Sequence, residues 1–269
     1  MDAFTNIAEL IKSVNKYAEE LRKHPSHEVK IEYKCPKCKD TGLISGMLDE
    51  DHTCSMICDC QKARQAERLM EQSGLGKALK EQTFDSYITT GPEGENIKAT
   101  ARRYADALIH LENDRGKKPW LFVGGNPGAG KSHICTAVCR ELLNNNIPVR
   151  YMQWNEEARR FKAYINSPEL DDLLEPYLDI PVLYIDDLFK CASGRLSRTD
   201  SDIRLAFSIL NTRYLRDFPT IISCEWELLK DLMPVDEGLF SRVLERAKGY
   251  VIRIPRDVKY NFRIWQKGC

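Results

Sequence analysis

Neither charge is in excess: Lys plus Arg number 40 and Asp plus Glu number 40 in a chain of 269 residues. A protein-wide basic field that would gather nucleic acid is therefore excluded, and any contact with DNA must rest on a local patch or on several subunits together. No run of about eighteen apolar residues occurs, which rules out a membrane-spanning helix on hydropathy. The opening MDAFTNIAELIKSV has no basic start followed by an apolar block, so no secretory leader is predicted. A soluble, cytoplasmic protein with no membrane partner is expected. Disulfides are disfavoured as well. Of 10 cysteines, Cys35, Cys38, Cys54, Cys58 and Cys60 crowd together, and in a cytosolic chain such a cluster points to metal binding. The length suits one large α/β domain with a small appendage.

The most informative stretch is PWLFVGGNPGAGKS, from Pro119 to Ser132. An apolar strand around Leu121-Phe122-Val123 runs into GNPGAGKS, which satisfies the P-loop spacing, and the apolar helical run Ile134 to Val138 follows. Glycines at 125, 128 and 130 permit positive φ and let successive amide N–H groups close around phosphate oxygens where side chains would intrude. Lys131 is expected on the β and γ phosphates and Ser132 on Mg²⁺, with the helix dipole aimed at the same anion. The expected nucleotide-binding run is thus Gly125, Asn126, Pro127, Gly128, Ala129, Gly130, Lys131, Ser132 and His133.

Downstream, Ile180-Pro-Val-Leu-Tyr-Ile-Asp186-Asp187 reads as a buried strand ending in two carboxylates, a Walker B pattern. Asp186 is expected to hold the Mg²⁺ water shell and Asp187 to orient the attacking water. Further strands are predicted at 148–154, 219–225 and 249–255. Helices are predicted at 96–112, 155–178, 200–216 and 238–246, with a loop at 91–95. If the strand at 219–225 is inserted beside the P-loop strand, a polar residue at its tip senses the γ-phosphate; Ser223 is the first choice and Glu225 the second. Arg242 and Arg246 stand one turn apart on one helix face, where arginines stabilise transferring phosphoryl charge or act as a finger on a neighbouring subunit. Arg159, Arg160 and Lys162 read as a solvated face.

The cysteine-rich stretch reads as a zinc site. Cys35-Pro-Lys-Cys38 is a knuckle able to grip one tetrahedral Zn²⁺, and Gly42 lets the backbone turn. Spacing leaves both Cys54/Cys58 and Cys58/Cys60 as second pairs, with His52 as a spare; Cys58 and Cys60 are preferred. A segment so short and polar has little core to fold around without a metal. Before it, residues 3–23 carry apolar side chains at spacings of three and four, an amphipathic helix whose apolar face needs its own domain or another protein. The predicted divisions are 1–65 for the N-terminal helix and zinc module, 66–84 for a linker, and 85–269 for the nucleotide-binding domain.

The ordered set of motifs is more specific than any one of them. It comprises the zinc cysteines, Ser73-Gly74-Leu75, Thr83-Phe84, GNPGAGKS, Tyr184-Ile-Asp-Asp187, Asn211-Thr-Arg-Tyr214, Pro219 to Ser223, Ser241 to Arg246 and Asn261-Phe-Arg263. From about Cys35 to Arg263 the chain resembles the DnaC/DnaI-type helicase loaders of bacteria and phages, AAA+ ATPases whose core is shared with IstB-like transposition helpers. The resemblance implies an α/β fold, a P-loop AAA+ doubly wound parallel sheet plus a small N-terminal helical and zinc-binding domain. A full C-terminal lid is not expected, because 14 residues follow Pro255. The resemblance also implies ATP, Mg²⁺ and Zn²⁺ as cofactors, Arg242 or Arg246 as the arginine finger and Arg263 as a sensor-2-like residue. It implies partners too: a hexameric replicative helicase bound by the N-terminal module, single-stranded DNA, and further copies of the chain in an ATP-dependent oligomer that loads the helicase. The family's usual Asp-Glu is Asp186-Asp187 here, one methylene shorter, which implies ATP hydrolysis that is weak alone and stimulated by partners or single-stranded DNA. The alternative readings are an IstB-like transposition helper and a P-loop kinase.

Overall fold

In the computed structural model, the structure describes residues 33, 35–47, 53–58, 60–89, 91–111, 117–190, 199–255, 257 and 260–265. The predicted helix over 3–23 and His52 lie outside them. By packing, the chain divides into units 1–58 and 59–269.

The described part of the smaller unit is a knuckle and a hairpin. β1 (Leu43–Met47) pairs antiparallel with β2 (Thr53–Ile57), with Leu43 opposite Ile57 and Met47 opposite Thr53. Ahead of it the knuckle reverses the chain through left-handed backbone at Lys39, Asp40 and Gly42, with φ of 48°, 64° and 79°. Thr41 closes that turn, its N–H and its hydroxyl both donating to the Cys38 carbonyl, at 3.0 and 2.6 Å. The Cys58 N–H then donates to the Gly42 carbonyl at 2.9 Å, which fixes the end of β2 against the knuckle.

The larger unit is built on a five-stranded sheet in the order β4-β5-β6-β3-β7, with every pairing parallel. Its strands are β3 (Leu121–Gly125), β4 (Val149–Gln153), β5 (Val182–Asp186), β6 (Thr220–Cys224) and β7 (Val251–Ile254). The three central strands are buried at every residue, which is why they read as unbroken apolar runs rather than as an alternation. Their alternate side chains feed two cores. Leu121, Val123, Tyr184 and Ile221 join α3 (Gly91–Ile109) and α4 (Lys131–Asn144) on one face. Phe122, Leu183, Ile185 and Ile222 join α5 (Trp154–Lys162), α6 (Glu169–Leu178), α7 (Asp200–Leu215) and α8 (Glu237–Arg246) on the other. Each large apolar side chain so buried stabilises the fold by about 1.5–3 kcal/mol. Cys135, Cys139 and Cys224 are fully buried and pack as small apolar residues within these layers.

Three expectations are corrected. Residues 66–84 do not link two domains: α1 (Cys60–Gln72) and α2 (Ala78–Glu81) pack on α4, Leu75, Leu79 and Phe84 lie in the core, and the Tyr151 N–H donates to the Ser73 carbonyl at 2.7 Å. The segment 91–95 is the start of α3 rather than a loop, because Pro92 sits in a first turn whose N–H groups have no intrahelical acceptor. The single helix expected over 155–178 is two, broken at 163–168 ahead of α6.

One buried charge braces the sheet's far face. Arg213, on α7, has no exposed surface, and its guanidinium donates to Thr220 Oγ1 at 3.0 Å and to the carbonyls of Tyr177, Leu178 and Ile180 at 3.0, 3.1 and 2.9 Å. The Pro181 and Pro219 carbonyls accept its remaining bonds, at 3.3 and 2.6 Å. The C-terminal carbonyls of α6, which have no helical partners, are thereby satisfied at the negative end of its dipole. Burial pulls the Arg213 pKa down to about 9, still high enough to keep the group charged at neutral pH.

Candidate functional site

The loop after β3 is shaped by close backbone approach. Gly125 has φ 143°, and a Cβ there would stand 2.4 Å from the Ile254 carbonyl oxygen of β7, so only glycine fits. Gly130, at φ 79°, is the N-cap of α4 and supplies no side-chain cap, which leaves the first-turn N–H groups open to an anion. Lys131 opens the helix almost wholly buried, and its Nζ donates to the Asn126 carbonyl at 2.8 Å. Its pKa is lowered, chiefly by burial, with the charges of Asp187 and Glu225 opposing the fall.

The end of β5 brings the acids to this loop. The Asp186 carboxylate accepts from Ser132 Oγ at 3.0 Å, Ser223 Oγ at 2.5 Å, Tyr184 Oη at 2.7 Å and Tyr151 Oη at 3.0 Å. Burial, together with the charge of Asp186, raises both tyrosine pKa values and keeps them as O–H donors. Asp187, at φ 54°, turns to the opposite side and pairs with Lys190 at 2.9 Å, while Lys190 also reaches Glu225 at 2.8 Å.

Around these residues lies a cleft of about 310 Å³, within the size of small-ligand sites. Pro127, Gly128, Gly130, Ser132 and His133 line it, as do Asp187, Lys190 and Glu225. Lys131 completes the loop side, and the rest of the wall is Gln82, Ser86, Tyr87 and Ile88, which no motif indicated, with Phe262 from the Asn261-Phe-Arg263 motif. Residues 82–88 come from a segment about forty residues before the P-loop and share no spacing with it. Gln82 Oε1 is buried without a hydrogen-bond partner, an acceptor suited to a ligand N–H. Phe262, the first residue of α9 (Phe262–Trp265), is tied to the loop by its N–H, which donates to the Gly128 carbonyl at 3.1 Å. His133 Nε2 lies 2.9 Å from the Thr83 carbonyl, which can only accept, so this nitrogen carries the proton; burial, opposed by that bond, lowers the His133 pKa.

Other predicted site residues fall elsewhere. Ser223 has no exposed surface: it donates to Asp186 and accepts from the Asp187 N–H at 2.9 Å, so it braces the acids from behind, and Glu225 takes the place at the cleft. Arg246 is buried, ion-paired with Asp217, and donates to the Tyr214 carbonyl at 2.8 Å. Arg242, one turn earlier, is half-buried and donates to the Gly238 carbonyl at 2.7 Å. The side chain of Arg263 lies outside the described part of α9, and that of Cys54 outside the described part of β2.

The Sγ atoms of Cys35, Cys38, Cys58 and Cys60 all lie within 4.8 Å of one another. Cys35 and Cys58 stand 3.8 Å apart, and the edge of a tetrahedron of sulfurs at about 2.3 Å from a zinc ion is also about 3.8 Å. Four such thiols fit Zn²⁺. Elemental analysis of freshly purified protein should return about one zinc per chain, and far less once Cys35 and Cys38 are both changed to Ser.

A parallel sheet with β6 set between the P-loop strand and the acid-bearing strand, and one cleft at the loop they share, defines an AAA+ ATPase-type domain. The bacterial DnaA ATPase domain family matches residues 79–243. The chain belongs to that family. Among its relatives, protein XkdC of the phage-like element PBSX of Bacillus subtilis is 30% identical over 234 residues, covering 86% of this chain and 85% of XkdC. The uncharacterised protein YqaM of Bacillus subtilis is 27% identical over 279 residues, covering 88% of each. In fold, a crystal structure of the DnaC helicase loader superposes with a TM-score of 0.54 at 22% identity, over 67% of this chain and all of that one.

Proposed function

We propose that this protein is an ATP-switched replication factor that binds a hexameric replicative helicase and helps place it on single-stranded DNA. The observation that carries the reading is the 3.0 Å bond from Ser132 Oγ to Asp186, which joins the loop that holds phosphates to the acids that act on them. The family assignment and the DnaC-like fold support the replication setting. On this reading, residues 1–65 form the helicase-binding module and the remainder the motor.

Amide N–H groups of the loop from Gly125 to Ser132, Pro127 excepted, wrap the phosphates, Lys131 bonds the β and γ phosphates, and Gln82 accepts the exocyclic N–H of the adenine. Ser132 and Asp186 would hold Mg²⁺, which supplies charge neutralisation on the phosphates. Asp187 orients the attacking water, and Ser223 fixes Asp186 and Asp187 in register. With Arg246 engaged by Asp217, Arg242 is the finger presented to a neighbouring subunit, so ATP joins copies of the chain and its hydrolysis releases them. Hydrolysis is weak in the isolated protein and is raised by partners or single-stranded DNA. Arg263, on the helix that follows β7, is the proposed sensor on the nucleotide's other side. Zn²⁺ on the four cysteines would supply folding energy to the N-terminal module.

Co-purification with a hexameric replicative helicase, with and without ATP, tests the assignment. Retention of the helicase is expected, with Arg242→Ala sparing nucleotide binding by the single chain while abolishing ATP-dependent self-association. Capture of a transposase in place of any helicase would overturn it.

A further inference from the structure

The cleft holds a second lysine that the P-loop pattern does not account for. Lys190 stands three residues past Asp187, and its ammonium bonds Asp187 Oδ2 at 2.9 Å and Glu225 Oε1 at 2.8 Å, with its side chain 24% exposed. All three groups line the same cleft as Lys131 and Gly128. Topology fixes which end of the cleft they occupy. The acids come from the ends of β5 and β6 on one side of β3, whereas β7, which leads to Phe262, lies on the other. The ionic group is therefore across the loop from the aromatic one, on the side where Ser132 meets Asp186. A nucleotide with its base beside Gln82, Tyr87 and Phe262 ends its phosphate tail among Lys131, Lys190, Asp187 and Glu225.

Charge then sets the requirement. Asp187 and Glu225 would repel a terminal phosphate, and Lys190 is the cation bonded to both of them. An ammonium can redistribute its donors, so Lys190 can trade one of its two carboxylate bonds for one to a phosphate oxygen. Burial works against its charge, but the hydrogen bonds to Glu225 and Asp187 outweigh it and hold the Lys190 pKa above its ordinary value. We propose that Lys190 determines specificity for a nucleoside triphosphate over a diphosphate, exchanging a carboxylate partner for a γ-phosphate oxygen and so freeing an acid at the moment the γ-phosphate arrives. The inference rests on the reading of this cleft as a nucleotide site.

The test measures Mg·ATP and Mg·ADP affinities of the full chain by competition against a fluorescent nucleotide, for the wild type and for Lys190→Met, Lys190→Arg and Glu225→Gln. A lost charge-assisted bond to phosphate should weaken ATP by about tenfold or more in Lys190→Met, with ADP changed by less than about threefold. Lys190→Arg should recover most of the preference for ATP. Glu225→Gln, which leaves the lysine charged with one acid fewer, should keep or strengthen it. Equal weakening of ATP and ADP in Lys190→Met, or no change in either, would overturn the proposal. So would a loss of preference in Glu225→Gln as large as in Lys190→Met, because the ion cluster rather than a contact to phosphate would then be responsible. A wild type that binds neither nucleotide would instead refute the nucleotide site itself, a failure plainly distinct from one confined to position 190.

Discussion

Lys131→Ala should bind ATP about 10²–10⁴-fold more weakly than the wild type, the loss of two charge-assisted bonds of about 1.5–3 kcal/mol each. The structure explains why the effect should be one of binding and not of folding. The Lys131 ammonium is almost wholly buried and donates to a backbone carbonyl, and burial lowers its pKa. Such a cation is held at some expense in desolvation, which a phosphate would offset and alanine would remove. The variant is therefore expected to melt at or slightly above the wild-type temperature while losing nucleotide. Calorimetric titration with ATP, paired with a thermal melt, reads both quantities, and ATP affinity retained within a few-fold would remove the cleft from consideration as a nucleotide site.

Arg213→Met carries the largest expected loss of stability. The guanidinium lies far from the cleft, yet its bonds satisfy Thr220 and five backbone carbonyls from the end of α6, the segment before β5 and the residue before β6. Methionine fills much of the volume and none of the bonds. Acceptors left buried and unsatisfied cost about 1–3 kcal/mol each before relaxation, so a net loss of about 3–5 kcal/mol is expected. For a domain of this size that is a fall in melting temperature of roughly 6–20 °C. Because α6 and the start of β5 are the parts released, hydrogen exchange should rise first there. A melt unchanged within a degree or two would mean that water replaces the guanidinium at little cost.

What the sequence discloses follows from which interactions are local. The P-loop and the acidic strand end are legible because glycine spacing and a doubly covered strand leave continuous signatures within a dozen residues. The layout of β3 to β7 is legible for the same reason. Sequence could not show that Ser223 turns inward, since that depends on the register that sets β6 beside β5 and brings its hydroxyl within 2.5 Å of Asp186. Spacing places Arg242 and Arg246 on one helix face, but only the fold supplies Asp217, which engages the second. Residues 66–84 read as a linker because they are rich in charge, whereas Leu75 and Leu79 are enough to seat them in the core. Lys190 is legible in the sequence as a cation three residues beyond the Asp186-Asp187 pair.

The sulfurs buried beneath the cleft carry a consequence for how this protein meets oxidants. Burial pushes the thiols of Cys135 and Cys139 well above their ordinary range and that of Cys224 up to about 12, so none offers the thiolate that alkylating agents and peroxides attack. The thiols of α4 and β6 are in this sense chemically mute. Among the described cysteines Cys60 is the least buried, which places the most accessible described thiol in the four-thiol cluster rather than at the cleft.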